Sequence, residues 1–182
     1  MTDHSPRRAT NCVRQYADDQ FQLTDPNDVL PWAVAVERLA AANLYWLTAI
    51  RPDGHPHVRP VFAVWSGGSL YSTTSSTARK TTFVEDNPNC VLTASTDGID
   101  IIYDAVATRV TDAATLEQVA AVYREKYGWP VQPVDGAFHA PFGAPSAGPP
   151  PYLLFRYDPV TVHGLGTDDD HYSRSTRWDF LT

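Results

Sequence analysis

The sequence predicts a mainly β protein with helical additions, built as a small barrel of six to seven short antiparallel strands. Turn signals carry this prediction: PDG at 52–54, SGG at 66–68 and DG at 97–98 each separate two apolar segments. Other segments have apolar residues at helical spacing, which predicts helices beside the strands. With 182 residues and 43% hydrophobic content, the chain suits one domain with a buried core.

The first half of the chain predicts an arm, a helix and three strands. Residues 1–27 are polar and unpatterned, which indicates an arm that is flexible or packs on a partner, ahead of a single domain at 28–182. A helix is predicted from Pro31 to Ala42, with Asp28 as its cap. The strands LYWLTAI, HPHVRPVFAVW and SLYSTT follow, and the prolines of the second indicate an edge or a bulge.

The second half predicts two more helices, further strands and a long loop. A short helix fits 78–86 and ends at Asn87-Pro88, and CVLTAST and IDIIYDAVATRV form the fourth and fifth strands. Asp112 is expected to cap a helix that ends near Lys126. Residues 128–151 form a Pro/Gly/Ala-rich loop whose aromatic residues predict an ordered cover. YLLFRYDPVTVHGLGT gives the sixth strand and leaves room for a seventh.

Charge and composition exclude several classes of function. The formal net charge of −7 argues against general nucleic-acid binding, which needs a basic face. The apolar runs fall short of the ~18 residues that a membrane helix requires, and the N-terminal segment lacks the apolar stretch of a signal peptide. We therefore expect a cytoplasmic protein with no membrane and no nucleic-acid partner. The two cysteines are too few for a disulfide framework and match no metal-site spacing.

The segment LYSTTSSTARKTTFVEDNP, from Leu70 to Pro88, is the strongest candidate for a binding site. Hydroxyl residues fill positions 72–77, and Arg79 and Lys80 follow at the first turn of the predicted helix. A helix N-terminus attracts anions, arginine binds a phosphate bidentately and lysine adds a point charge. The alternative is a polar turn with two solvated cations, and the segment alone supports both interpretations equally.

A longer pattern favours the phosphate interpretation. PDGHPHVRPVFAVWSGGSLYSTT, then ARK, then a helix ending in Asn-Pro, resembles the pyridoxamine 5'-phosphate oxidase-like family. This flavin-binding split β-barrel superfamily also contains oxidoreductases that use the deazaflavin coenzyme F420. The resemblance covers residues 30 to 110 and extends more loosely through KYGW, DGAFHAP and AGPPPY to the closing TRW. It implies a split β-barrel, a homodimer with cofactor sites at the interface, and a small-molecule substrate.

The resemblance also implies which residues bind the cofactor. They are Arg59, Pro60 and Val61 along the ring, Ser72, Thr73 and Thr74 near the ring and ribityl chain, Arg79 and Lys80 at the phosphate, and Trp178 close to the site. No metal and no catalytic side chain is implied, because the cofactor carries out hydride transfer while the protein positions it. Trp129, Phe138 or Trp178 would cover the substrate.

Two departures from the family pattern indicate which reaction and which cofactor to expect. The oxidase proper carries a lysine at the end of the ring-binding strand, where this chain has Val64 or Trp65, and a basic C-terminal signature that TRWDFLT lacks. Pyridoxamine 5'-phosphate oxidase activity itself is therefore not expected. These departures and an arginine-rich composition favour coenzyme F420 over FMN, with hydride transfer to a small electron-poor organic substrate.

Two other classes of function stay open from the sequence. One is a non-catalytic flavin- or haem-binding barrel, for which His57 is the candidate axial ligand. The other is a barrel without a ligand that serves as an interaction module, against which the Arg79-Lys80 pair and the hydroxyl run argue.

Overall fold

The computed structural model describes residues 5–13, 28–143 and 147–180. In these residues the helices are α1 (Trp32–Ala41), α2 (Arg79–Asp86) and α3 (Ala113–Tyr127), with a 3-10 turn at Tyr172–Arg174. The strands are β1 (Arg8–Asn11), β2 (Tyr45–Ile50), β3 (Pro56–Val61), β4 (Ala63–Ser66), β5 (Ser69–Ser75), β6 (Asn89–Ser95), β7 (Ile99–Val110), β8 (Gln132–Val134), β9 (Ala137–His139), β10 (Tyr152–Gly166) and β11 (Thr176–Asp179).

The strands close into a barrel through a change of partner between β3 and β4. β3 pairs with β2 up to Val61, and β4 pairs with β5 from Ala63 onward, so Phe62 separates the two ladders. β5 pairs with β10, β10 with β7, β7 with β6 and β6 with β2, all antiparallel, which completes the circuit. The architecture is the predicted split β-barrel with flanking helices.

The structure has more strands than the six to seven that the sequence predicts. The segment HPHVRPVFAVW forms two strands because of the break at Phe62. The long loop contains the short hairpin of β8 and β9, and β11 lies between β10 and β1 near one end of the sheet. These extra strands have three or four residues each, too short for a period-2 pattern to be visible.

The N-terminal region contributes a strand to the domain. Arg8–Asn11, which the sequence analysis assigns to the arm, pairs with β11, while residues 14–27 lie outside the described part. The predicted cap of α1 is wrong: Asp28 accepts a hydrogen bond from Arg174 Nε (2.8 Å), and Pro31 occupies the N-cap. The predicted cap of α3 is confirmed, because the Asp112 carboxylate accepts from the Thr115 N–H (2.9 Å).

The core has two parts, one inside the barrel and one beneath α3. The barrel interior includes the buried side chains of Leu47, Leu92 and Tyr103. Below α3, Val119 and Tyr123 are fully buried against the outer face of β4 and β5. Within the described residues, no helix combines the length and apolar character that crossing a bilayer requires.

Candidate functional site

A cavity of about 460 Å³ lies where the β3–β4 break, β5 and the start of α2 meet the end of α3. This volume falls within the range of about 300–1,000 Å³ that is usual for small-molecule sites. Twelve described residues line it: Leu44, Pro60, Val61, Phe62, Thr73, Lys80, Tyr123, Tyr127, Trp129, Phe142, Gly143 and Ala147. Most are apolar or aromatic, and Lys80 is the one that carries a charge.

The end of α3 holds the strand break in place. Tyr123 Oη donates to the Phe62 carbonyl (3.0 Å), and Tyr127 Oη donates to the Ala63 carbonyl (2.8 Å). The two tyrosines are four residues apart and therefore share one face of the helix. They satisfy carbonyl groups near the break, where the strand changes ladders, and so fix the shape of the cavity wall.

Lys126 supports the same break from behind Tyr127. Its Nζ donates to the Ala63 carbonyl (3.2 Å) and lies 5.3 Å from the ring centres of both Tyr45 and Tyr127. Burial lowers the pKa of Lys126 to about 8, and none of the described carboxylates pairs with it. The two ring faces and the carbonyl stabilise its charge instead.

A cluster of cations lies beside the cavity. Burial and the neighbouring Arg59 lower the pKa of Lys80. Burial also lowers the pKa of His57, and the charges of Arg59, Arg51, Lys80 and Arg79 add to this shift. Concentrating so many cations in a protein of formal net charge −7 creates a local positive potential that attracts an anion.

Three of these cations have no carboxylate partner. Arg59, Arg79 and Lys80 form no ion pair with any residue in the described part of the chain, whereas Arg51 pairs with Asp53 (3.3 Å). Arg59 and Arg79 are exposed and Lys80 is half-buried. Unpaired cations that lie close together repel one another, and a bound anion would offset this repulsion.

The N-terminus of α2 adds to this potential. No side chain caps the helix at Ala78, in contrast to α3, where Asp112 performs that function. The first N–H groups of a helix have no partner within the helix and carry a partial positive charge. The first turn of α2, which bears Arg79 and Lys80, is therefore suited to bind a phosphate.

The structure brings six of the nine predicted cofactor-binding residues together. Pro60 and Val61 on β3, Thr73 on β5 and Lys80 on α2 line the cavity. Arg59 and Arg79 belong to the adjoining cation cluster.

Ser72 and Thr74 lie on the other side of β5. Successive side chains of a strand point to opposite faces, so both are directed away from the cavity that Thr73 lines. Ser72 Oγ hydrogen-bonds Tyr157 Oη (2.8 Å), and Thr74 Oγ1 accepts from Thr81 Oγ1 (3.2 Å). Both are buried and bonded inside the protein, so they support β5 and do not line the cavity.

Trp178 also lies outside the cavity. It is fully buried in the barrel core, with its ring edge-on to Trp32 at 5.4 Å. A side chain at Gly164 would meet the Trp178 ring, since a Cβ there would come within 2.9 Å of it. The structure therefore gives Trp178 a packing role.

Sequence reasoning found part of the aromatic cover and missed the rest. Trp129 lines the cavity as expected, but Phe138 is fully buried beneath the loop. Phe142, one of the loop aromatic residues expected to form an ordered cover, also lines the cavity, whereas Leu44, Phe62, Tyr123 and Tyr127 were not predicted. The spacing of the two tyrosines and Trp129 in YREKYGW is the signal that could have indicated a shared aromatic surface.

Comparison with known families decides the assignment. The family model described as pyridoxamine 5'-phosphate oxidase matches residues 32–166, which include every element around the cavity. The chain belongs to this family. Among curated proteins, no sequence match is found.

Three solved structures illustrate the likeness. An FAD-binding protein from Mesorhizobium loti is 19% identical, with a TM-score of 0.56 over 82% of this chain and 95% of that one. A conserved hypothetical protein from Mycobacterium tuberculosis is 16% identical, with a TM-score of 0.56 over 87% and 91%. The haem storage protein HutZ from Vibrio cholerae is 22% identical, with a TM-score of 0.53 over 72% and 90%. At such identities the likeness establishes the fold alone.

Proposed function

We propose that the protein is an oxidoreductase that holds coenzyme F420 or FMN in this cavity and transfers a hydride to a small electron-poor organic substrate. The observation that carries the proposal is the set of unpaired cations, Arg59, Arg79 and Lys80, beside an aromatic-lined cavity. Such a site suits a ligand with a phosphate at one point and a flat ring at another. Membership of a family in which flavins and deazaflavins are bound supports this interpretation.

Different residues would hold the phosphate and the ring of the cofactor. Arg79, Lys80 and Arg59 would hold the phosphate, with the N–H groups of α2. Pro60, Val61 and Thr73 would hold the ring, because they line the cavity on the side of β3 and β5. When bound, the ring supplies the hydride. The chain binds and orients it and excludes water.

Coenzyme F420 is the preferred cofactor in this proposal. This preference follows from the departures of the sequence from the oxidase proper and from its arginine-rich composition. The lowered pKa of His57 favours its neutral form, and Arg51 pairs with Asp53 (3.3 Å), so the acidic tail of the deazaflavin would compete with Asp53 for Arg51. Arg124 is not among the residues that line the cavity, and its guanidinium donates to the Val131 carbonyl (3.1 Å).

Hydride transfer is tested by mixing the protein with reduced coenzyme F420 and an electron-poor acceptor, and following the absorbance of the oxidised cofactor. We expect oxidation that depends on both protein and acceptor, and the same assay with reduced FMN tests the other cofactor. Cofactor binding without oxidation by any acceptor of a broad panel would favour a non-catalytic carrier instead.

The proposal includes a homodimer with the cofactor at the interface. Four exposed large apolar side chains, Leu44, Trp46, Val58 and Phe62, lie on or beside β2 and β3, and β3 ends the strand order of the sheet. Leu44 and Phe62 also line the cavity, so a partner that covers this surface would close the cavity.

A dimer is expected by light scattering at micromolar protein. Replacing Trp46 and Val58 by glutamate should give monomers with lower cofactor affinity, since both side chains are over 40% exposed and tolerate charge in the monomer. The double variant Y172E/V134E, which changes equally exposed residues elsewhere, is the control and should stay dimeric. A wild-type monomer would contradict the shared-interface site.

Haem binding is not favoured by this geometry. His57 does not line the cavity; its ring is edge-on to Phe83 of α2 at 5.2 Å. Pyridoxamine 5'-phosphate oxidase activity is also not proposed, because Val64 is fully buried and Trp65 packs against Trp32, so neither replaces the lysine of the oxidase proper.

A further inference from the structure

One side of the cavity is lined by aromatic rings, here called the aromatic wall: Phe62, Tyr123, Tyr127, Trp129 and Phe142. Tyr123 is fully buried and packs against the rings of Tyr127 and Trp129, and the other four rings are partly exposed. The ring centres of Phe62 and Tyr127 are 4.9 Å apart, those of Tyr127 and Tyr123 5.9 Å, and those of Tyr123 and Trp129 5.6 Å. Three of the five rings come from one stretch of seven residues at the end of α3.

The polar atoms of the wall are already used inside the protein. Tyr123 Oη and Tyr127 Oη donate to the carbonyl groups at the strand break, and Trp129 Nε1 donates to the Phe142 carbonyl (2.7 Å). Burial raises the pKa of Tyr127 to about 12, and at neutral pH its protonated hydroxyl donates to the Ala63 carbonyl. A ligand against this wall therefore contacts ring carbons, because these hydroxyl and indole N–H groups already donate to backbone carbonyls.

The wall and the proposed cofactor surface belong to different elements. Pro60, Val61 and Thr73 come from β3 and β5, whereas the wall comes from α3, the loop after it and the break at Phe62. With a flat ring on the strand side, the aromatic wall is the other aromatic surface of the cavity, against which a second flat molecule would lie.

We propose that the aromatic wall is the substrate-binding surface and that it selects flat, electron-poor rings that are neutral or anionic. This inference rests on the proposed function. The faces of Tyr, Trp and Phe rings are electron-rich, so they attract an electron-poor ring more strongly than an ordinary one. The same faces would attract an organic cation, but Lys80 in the cavity and Arg59 beside it repel one.

The test compares three neutral amides that differ in the ring: pentafluorobenzamide has an electron-poor aromatic ring, benzamide an ordinary aromatic ring and cyclohexanecarboxamide a saturated ring. Phenyltrimethylammonium is the cationic probe. Their affinities are measured by ligand-observed NMR on the full chain, first alone and then with saturating coenzyme F420 or FMN. We expect pentafluorobenzamide to bind at least threefold more tightly than benzamide. Cyclohexanecarboxamide should bind most weakly of the amides, and the cation should not bind.

Two wall residues are exposed enough to be removed without loss of the fold. Phe62→Ala and Phe142→Ala remove side chains of 46% and 57% exposure, and each should weaken pentafluorobenzamide binding at least threefold. Tyr172→Ala, at 55% exposure outside the cavity, is the matched control and should have no effect.

Three outcomes would overturn the inference: equal affinities for the three amides, unchanged affinity in both wall variants, or displacement of the probe by bound cofactor. Displacement of the probe would mean that the aromatic wall is part of the cofactor-binding site. Failure of the proposed function gives a different result: the protein would bind the probes but neither coenzyme F420 nor FMN.

Discussion

Replacing Arg79 and Lys80 together by alanine is expected to weaken binding of the phosphate-bearing cofactor tenfold or more. Hydrogen bonds to charged groups contribute about 1.5–3 kcal/mol each, and about 1.4 kcal/mol corresponds to tenfold in affinity. Neither side chain forms an ion pair within the described residues, so their removal leaves no unpaired carboxylate behind. The loss should therefore appear in a cofactor titration and not in the free energy of unfolding.

The control for this variant removes the same amount of charge elsewhere. Arg7 and Arg8 are exposed at β1, which lies at the opposite end of the strand order from β3. The double variant R7A/R8A should bind the cofactor like the wild type at 0.15 M salt, where long-range charge effects are screened. Unchanged affinity in a folded R79A/K80A protein would contradict the phosphate assignment.

Trp178→Ala is expected to lower the free energy of unfolding by about 3–5 kcal/mol, as is usual when a buried tryptophan is removed from a core. Trp178 is fully buried and packs on Trp32 and against Gly164. Denaturant unfolding measures the loss. Tyr172→Ala, a change at an exposed aromatic residue of the same region, should alter stability by no more than about 0.5 kcal/mol.

A cofactor titration of the same variant separates the two roles considered for Trp178, core packing and cofactor binding. If it only packs the core, the folded fraction of the variant should keep its cofactor affinity. A variant of near-normal stability with much weaker cofactor binding would instead show that Trp178 reaches the ligand, contrary to its position in the structure.

Local signals explain how much of the fold could be predicted. The turns at 52–54, 66–68 and 97–98 need glycine at positive φ, and Gly54, Gly67, Gly68 and Gly98 have such values, so the hairpins follow from the sequence. The cap at Asp112 is likewise a short-range contact. The pairing of β1 with β11 joins residues far apart in sequence, and no local pattern reports it.

The site was predictable to the extent that it depends on single positions. Arg79 and Lys80 follow from their place at a helix start, and resemblance to the family supplied Pro60 and Val61. Alternation along β5 decides that Thr73 lines the cavity while its neighbours do not, and this requires knowing which face is outward. Tyr127 is brought to the cavity by the path of α3, which the sequence does not specify.

The central claim is that this cavity binds a phosphate-bearing deazaflavin or flavin, and parallel titrations of the protein with coenzyme F420 and FMN test it most directly. Trp129 lines the cavity, so intrinsic tryptophan fluorescence should report occupancy. The account predicts saturable quenching by both, with tighter binding of coenzyme F420. Tighter binding of FMN would reverse the choice of cofactor and leave the site in place. Absence of saturable quenching by either, with direct calorimetry also showing no binding, would contradict the account.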